Sequence, residues 1–270
     1  MKIFLMTDME GVCGVVKREE WVEPQGRYYE KGKELLALET NAAVEGFFEA
    51  GATEILVVDG HGYGGVDHLL LDERVNYLRG PTPGPYPFML DDTFDATAWV
   101  GQHAKSGTEY AHMPHTGSYN IIDYQINNIS IGEFGQIAYC GAHFGAKPIF
   151  GSGDKAFTLE AATLVEGIET VSVKEGIMPG SGNELTEENY RNRNNGAIHL
   201  HPNKARKRIK EGAKRSLHRF IENRNQFKLL NLKAPLIKKV KYRCKNSCFG
   251  YVEESTHNDI VSLFNSTFQP

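Results

Sequence analysis

The sequence predicts an α/β fold, built on a mostly parallel sheet flanked by helices. Residues 1–7 form an apolar run of strand length, and residues 54–58 (EILVV) form a second run rich in β-branched side chains. Between them, apolar residues at helical spacing predict a helix over residues 29–50, which Gly51 ends. A strand, a helix and a strand at this spacing are typical of a βαβ unit with parallel strands.

The later elements continue this alternation. Residues 80–87 (GPTPGPYP) are too rich in proline and glycine for regular structure, and residues 183–203 are polar and partly loop. Between these two segments, the patterns predict a strand at 96–100, a hairpin over 124–131, a helix over 133–144 and a short strand at 148–150. Residues 151–154 (GSGD) follow that strand and precede a helix over 156–166.

The composition is that of a globular protein. The 270 residues are 40% hydrophobic and 24% charged, which is enough for one large domain with a core. No apolar run has the length of a membrane span or of a signal-peptide core, so we expect a cytoplasmic protein with no membrane partner. The pair Cys244 and Cys248 is interpreted as two ordinary thiols, because no second pair completes a zinc site.

The positive charge is concentrated between residues 204 and 245, where 16 lysines and arginines face two acidic residues. Such a stretch can bind nucleic acid. Here, however, Ala205, Ile209, Ala213 and Leu217 recur at helical spacing, so the charges fit the solvated face of an amphipathic helix. We therefore expect no nucleic-acid partner, and we expect this face to pair with acidic surface on the same chain or on a sister subunit.

Metal-capable side chains follow three of the predicted strands. Asp8 and Glu10 come after the first strand, His61 after the second, and His103 after the strand at 96–100. Ligands of open parallel sheets bind beyond the carboxyl ends of the strands, so these side chains are expected on one rim. Histidine nitrogens and carboxylate oxygens are ligands of zinc, and a carboxylate can bridge two metal ions.

Several motifs resemble the M55 family of zinc-dependent D-aminopeptidases, the DppA-like peptidases. They cover residues 1–165 well, in the family's order and at nearly its intervals. The motifs are Thr7 to Gly11 (TDMEG), Asp59 to Gly62 (DGHG), Leu90 to Phe94 (LDDTF), Gly101 to Ala104 (GQHA), Met113 to His115 (MPH), Gly132 to Gly135 (GEFG) and Gly153-Asp154.

The resemblance implies a fold, a site and an activity. The fold would include a smaller second α/β portion. One domain would span residues 1–270, with the metal-site portion at about 1–165 and a divergent C-terminal portion at about 166–270. Two zinc ions would be held by Asp8 as the bridging carboxylate, by Glu10 and His61 on one ion, and by His103 and Glu133 on the other.

The implied activity is removal of an N-terminal, D-configured amino acid from a short peptide by a metal-bound hydroxide. His115 would be the catalytic histidine, as base, acid or nucleophile. The resemblance also implies a homo-oligomer, a homodecamer that encloses its active sites. The interval from His103 to His115 is about one residue longer than the family pattern, which makes His112 a rival, and Lys155 stands where a polar or acidic residue is expected.

Two other interpretations remain open. The first is a two-metal hydrolase of another amide or of a phosphoester, although only Lys105, Lys155 and Arg27 lie near the proposed ligands as anion-binding groups. The second is a non-catalytic binding or scaffold protein of the same fold, which would need a broken set of metal ligands.

Overall fold

A seven-stranded sheet forms the centre of the protein in the computed structural model, which describes residues 1–243 and 252–266. Cys244 and Cys248 lie outside the described residues. The strands are β1 (Lys2–Thr7), β2 (Glu54–Asp59), β3 (Asn76–Leu78), β4 (Ala96–Gln102), β5 (Ile121–Ile126), β6 (Ile129–Ser130), β7 (Lys147–Asp154), β8 (Val165–Glu166), β9 (Glu169–Gly176), β10 (Ala197–His199), β11 (Lys228–Leu229), β12 (Leu236–Tyr242) and β13 (Val252–His257).

The helices lie on both faces of this sheet. They are α1 (Arg18–Trp21), α2 (Tyr29–Glu49), α3 (Glu133–His143), α4 (Lys155–Leu164), α5 (Glu187–Arg193), α6 (Pro202–Glu222) and α7 (Ile260–Asn265). Within the described residues, no helix has the length and apolar character needed to cross a membrane.

The strand order of the central sheet is β10-β9-β7-β4-β1-β2-β3. All neighbours are parallel except β10, which runs antiparallel to β9. A second, antiparallel sheet has the order β13-β12-β5-β6. The predicted fold class, a mostly parallel sheet with a smaller second α/β portion, is confirmed.

The sheet reverses its order of winding between β1 and β4. From β1 the chain adds β2 and β3 on one side, and β4, β7 and β9 lie on the other. Crevices for ligands form at such switch points, outside the carboxyl ends of the strands. The ends of β1 and β4 are where Asp8 and His103 stand, so the topology brings the predicted rim residues to the crevice.

Alternation along β1 divides the core into two layers. Ile3 and Leu5 pack with α2 and α6 on one face of the sheet, whereas Phe4 and Met6 pack with α3, α4 and α7 on the other. Both faces are therefore buried, as expected of a strand in the middle of a parallel sheet.

Most predicted elements are confirmed to within a few residues, but β7 is a correction. The strand was predicted to end at Phe150, yet β7 continues through residues 151–154 to Asp154. The glycines mislead here, because they mark a close approach of two strands. A Cβ on Gly153 would lie 1.8 Å from the carbonyl oxygen of Gln102 in β4.

The basic segment forms the amphipathic helix α6, and its partners are acidic side chains of the same chain. Lys210 and Lys214 pair with Glu49 of α2 at 2.7 and 3.0 Å, and Arg215 pairs with Glu169 at 2.8 Å. The apolar stripe of the helix, including Ile209 and Leu217, is fully buried. The predicted pairing of this face with acidic surface is confirmed within the chain.

Candidate metal centre

Asp8 lies at the centre of a buried group of acidic and histidine side chains. Its Oδ1 is 3.3 Å from Nδ1 of His61, and its Oδ2 is 3.1 Å from Nε2 of His103. Glu10 joins the first contact, with its Oε2 3.2 Å from Nδ1 of His61. Glu133 joins the second, with its Oε1 3.6 Å from Nε2 of His103. The five predicted positions thus come together as two half-sites that share Asp8. The His61 half-site includes Glu10, and the His103 half-site includes Glu133.

Each histidine of the cleft uses one ring nitrogen for a backbone carbonyl. A carbonyl only accepts hydrogen bonds, so that nitrogen carries a proton, and the other ring nitrogen faces the cleft. This is the arrangement that orients metal-binding histidines. The contacts are His61 Nε2 to Val22 O at 2.8 Å, His103 Nδ1 to Ala104 O at 2.9 Å and His115 Nδ1 to Met113 O at 3.1 Å.

Two atoms of the group are buried without a hydrogen bond. Within the described residues, neither Oε2 of Glu10 nor Nε2 of His103 has a hydrogen-bond partner, and such a buried atom costs roughly 1–3 kcal/mol. Donor atoms of Asp8, Glu10 and His103 lie within 4.8 Å of one another. Carboxylate oxygens and imidazole nitrogens converging in this way are a donor set that zinc takes, so the residues fit the metal.

His115 stacks against this group. Its ring lies 4.0 Å from that of His103 and 4.5 Å from that of Tyr119, centroid to centroid, with interplanar angles of 12° and 14°. Its Nε2 is 3.8 Å from Oε1 of Glu133, which also accepts a hydrogen bond from the N–H of Gly117 at 2.7 Å. The predicted catalytic histidine therefore stands beside the His103 half-site, with Nε2 available.

Negative charge dominates the electrostatics of the group. Burial disfavours ionisation of Asp8, but the neighbouring imidazoles of His103 and His61 outweigh it and hold the pKa of Asp8 well below its usual range. Burial likewise opposes ionisation of Glu133, yet the charge of His103 lowers the pKa of Glu133 to about 2. The carboxylates outweigh burial and raise the pKa of both His61 and His103 well above the ordinary value. The site therefore attracts cations.

Asp59 and Arg79 hold the loop that carries His61. The carboxylate of Asp59 accepts hydrogen bonds from the backbone N–H groups of His61 and Gly65, at 3.2 and 2.9 Å. The guanidinium of Arg79 donates to the carbonyl oxygens of His61 and Gly62, at 2.7 and 2.9 Å. This explains why an aspartate precedes His61 in the DGHG motif, because the N–H groups of the loop need a hydrogen-bond acceptor at the end of β2.

Glycines bring the ends of β1 and β4 into direct contact. The N–H of Gly11 donates to the carbonyl of Gly101 at 2.7 Å, and the N–H of Asp8 donates to that of Val100 at 3.0 Å. Gly101 has a φ of +75°, and a Cβ there would lie 1.9 Å from the carbonyl oxygen of Asp8. Only glycine allows this approach, which fixes Asp8 beside the strand that supplies His103.

Glu160 of α4 fixes Glu133 at the start of α3. The Glu160 carboxylate accepts hydrogen bonds from the N–H groups of Gly132 and Lys105, at 3.0 and 2.8 Å. Lys105 follows His103 by two residues. Glu160 therefore holds together the segment that carries His103 and the segment that carries Glu133, which form the His103 half-site.

The group opens into a cleft of about 440 Å³, a size typical of small-ligand sites. Several of its walls were not predicted from the sequence. They come from short elements and loops with no periodic pattern, and the residues are Arg18, Tyr63, Tyr86, Phe88, Gln102, Tyr119 and Glu187. Gln102 belongs to the GQHA motif, but no role was predicted for it. Its Nε2 lies 3.4 Å from Oδ2 of Asp8.

Two residues named as departures from the pattern lie outside this cleft. His112 is fully buried, and its Nε2 donates to the carbonyl of Val16 at 2.8 Å, so it is a core residue and not a rival to His115. Lys155 pairs with Glu175 at 2.9 Å on the surface and forms no wall of the cleft.

Known proteins are similar to this chain in sequence and in fold. The family model described as D-aminopeptidase, peptidase M55, matches residues 1–249. A curated relative, the D-aminopeptidase of Bacillus subtilis (strain 168), is 29% identical over 182 residues, which are 66% of this chain. The matched region spans 65% of that relative's length.

A solved structure also shares the fold. It is described as the Zn-dependent D-aminopeptidase DppA from Bacillus subtilis, a self-compartmentalizing protease, and it superposes with a TM-score of 0.81 at 22% identity. The superposition covers 97% of this chain and 93% of that chain.

Proposed function

This chain belongs to the M55 family of D-aminopeptidases, and from that membership we propose that it is a zinc-dependent aminopeptidase for short peptides with an N-terminal D-amino acid. The observation that carries the proposal is the position of Asp8, whose two carboxylate oxygens each face the nitrogen of a different histidine, at 3.3 and 3.1 Å. A carboxylate so placed suits a pair of metal ions.

We propose Asp8, Glu10, His61, His103 and Glu133 as the ligands of two zinc ions. Asp8 would be shared, Glu10 and His61 would complete one ion, and His103 and Glu133 would complete the other. When bound, zinc lowers the pKa of a water molecule toward neutrality and polarises a carbonyl oxygen.

His115 is the group that moves a proton in this proposal. Its Nδ1–H is engaged by the carbonyl of Met113, so its Nε2 is free to accept a proton from water and to return it to the leaving amine. The stacked rings of His103 and Tyr119 hold His115 on both sides and prevent it from rotating away.

The test is hydrolysis of D-alanyl-D-alanine by the zinc-loaded protein, beside L-alanyl-L-alanine and p-nitrophenyl phosphate. We expect release of D-alanine, loss of activity with a chelator and recovery with zinc. Hydrolysis of the phosphoester alone would favour a different two-metal hydrolase. No hydrolysis of any substrate by protein that carries zinc would contradict the proposal.

We also propose one peptidase domain over residues 1–270 and a homo-oligomeric assembly, a homodecamer by family resemblance. Strands β9 and β10, which follow residue 165, extend the sheet that carries the site and support a single domain. The description of the similar structure as self-compartmentalizing supports assembly. Light scattering coupled to gel filtration measures the number of subunits.

A further inference from the structure

Arg18 and Tyr119 form a polar end to the cleft that the proposed ligands and His115 leave unused. Among the described residues that line the cleft, Arg18 is the one lysine or arginine. Its guanidinium carbon lies 5.1 Å from the centroid of the Tyr119 ring. We propose that this pair binds the free C-terminal carboxylate of the substrate, so that a short peptide with a free C-terminus is preferred to its C-terminal amide. The inference rests on the proposed function.

Tyr119 supplies the observation that points to a ligand. The residue is only 7% exposed, yet its hydroxyl has no hydrogen-bond partner within the described part of the chain. A buried hydroxyl without a partner is costly, so a bound group that accepts its hydrogen bond would be stabilised. A carboxylate oxygen accepts from a tyrosine hydroxyl and from a guanidinium at the same time.

Arg18 keeps donors for such a ligand. Its NH1 pairs with Oε1 of Glu23, while neither Nε nor NH2 has an acceptor among residues 1–243 and 252–266. A guanidinium has five N–H donors in a planar fork that matches a carboxylate. The Glu23 pair and the Tyr119 ring hold the guanidinium in place, and only 13% of the Arg18 side chain is exposed. The side chain therefore loses little conformational entropy when a ligand binds.

The spacing sets the length of the peptide. His115, Tyr119 and Arg18 form a continuous stack, with separations of 4.5 and 5.1 Å between neighbours. An extended peptide spans at most about 3.3–3.6 Å per residue. In a dipeptide one residue separates the scissile carbonyl from the carboxylate, so a dipeptide with a contact of about 3 Å at each end reaches from His115 to Arg18.

The other carboxylates of the cleft do not compete for Arg18 in this proposal. Asp8, Glu10 and Glu133 would be neutralised by bound zinc, and Glu187 also lines the cleft. Among the described side chains that line the cleft, Arg18 is therefore the guanidinium that can attract the carboxylate of a substrate.

The experiment compares D-alanyl-D-alanine with its C-terminal amide. For the parent protein, we expect kcat/KM to be about 10- to 100-fold higher for the free acid. Arg18→Gln is expected to remove that difference, mainly by raising KM for the acid. Tyr119→Phe should lower the preference in part. Arg27→Gln, an exposed arginine outside the cleft, is the matched control and should keep the parental preference.

Equal hydrolysis of acid and amide by the parent protein would overturn the inference, as would an Arg18→Gln variant that loses both activities equally. Calorimetric titration of the zinc-loaded protein with the two peptides provides a second readout. Tighter binding of the acid that depends on Arg18 supports the carboxylate site even if neither peptide is hydrolysed, a result that would contradict the proposed function alone. Equal binding of the two peptides would contradict the carboxylate site.

Discussion

The histidines of the cleft differ in what their free nitrogens face. Nδ1 of His61 and Nε2 of His103 point at the oxygens of Asp8, whereas Nε2 of His115 is 3.8 Å from the nearest oxygen of Glu133. His115 therefore stands at the edge of the acidic group, where a reacting proton would be exchanged. Donor atoms of His103, His115 and Glu133 lie within 4.8 Å of one another, so zinc content must be measured beside activity when His115 is replaced.

Replacing His115 with glutamine is expected to lower kcat about 100- to 10,000-fold, the usual range for loss of a general acid–base group. Zinc content should stay unchanged, because the proposed ligands are untouched. Steady-state kinetics and elemental analysis measure the two quantities. His143→Gln, at the exposed end of α3, is the control and should have parental activity. Loss of zinc from the His115 variant would make His115 a ligand instead.

The single residues also show what a sequence can predict of a site. Asp8, His61 and His103 could be placed together because each follows an apolar run that forms a strand, and parallel strands end on the same edge. Arg18 and Tyr119 could not, since Arg18 begins a helix of four residues and Tyr119 lies in a loop. Only their tertiary contacts reveal them.

At the scale of elements, close contact between β1 and β4 positions the acidic group. Gly101→Ala would place a methyl group 1.9 Å from the carbonyl oxygen of Asp8, at a φ of +75°. We expect a loss of at least about 2 kcal/mol of unfolding free energy, together with weaker zinc binding. Thermal denaturation and elemental analysis test this.

Gly145→Ala is the matched control for that change. Gly145 also has a positive φ, +90°, but a Cβ there would meet no atom within 4 Å. We expect only the cost of the backbone conformation, about 1 kcal/mol, with zinc binding unchanged. Equal effects of the two substitutions would contradict the positioning role of Gly101.

Helix α2 presents a buried acid to the loop after β1. Glu39 is 2% exposed, its Oε1 accepts from the N–H of Cys13 at 3.0 Å, and burial raises its pKa to about 8. Between pH 4.5 and 8 the folded protein thus binds one more proton at Glu39 than the unfolded chain does. The free energy of unfolding therefore falls as pH rises through this window.

Glu39→Gln is expected to remove this dependence. The variant should gain stability relative to the parent as pH rises from 5 to 8, by at most about 1.4 kcal/mol per pH unit. Thermal denaturation at several pH values measures the difference. Glu30→Gln, an exposed position of the same helix, should leave the pH profile parallel to that of the parent. A parallel profile for the Glu39 variant would contradict the assignment.

Some elements could not be predicted because their polar residues are buried by distant contacts. Strand β9 contains Lys174, which is 2% exposed. Its ammonium donates to the carbonyl oxygens of Glu10, Val12 and Val15. A lysine in a strand normally indicates a solvent-facing position, and only the folded loop after β1 provides the acceptors that make burial possible.

At the scale of the whole molecule, the two layers of the core enclose a sheet whose switch point holds the site. The excess of positive charge after residue 204 is partly balanced in the folded protein, because α6 places two lysines against acidic residues of α2. The sequence predicted this pairing from helical spacing alone. It did not predict that residues after 165 would complete the central sheet through β9 and β10, since β9 carries several polar residues and β10 has only three residues.

The most direct test of the proposed function is the zinc content of the purified protein, measured by elemental analysis after incubation with zinc and removal of the excess. We expect two zinc ions per subunit in the parent and in His143→Ala, and a clear loss in the His61→Ala/His103→Ala double variant. A parent that binds no zinc, or a double variant that retains it all, would contradict the shared position of Asp8 between two metal ions.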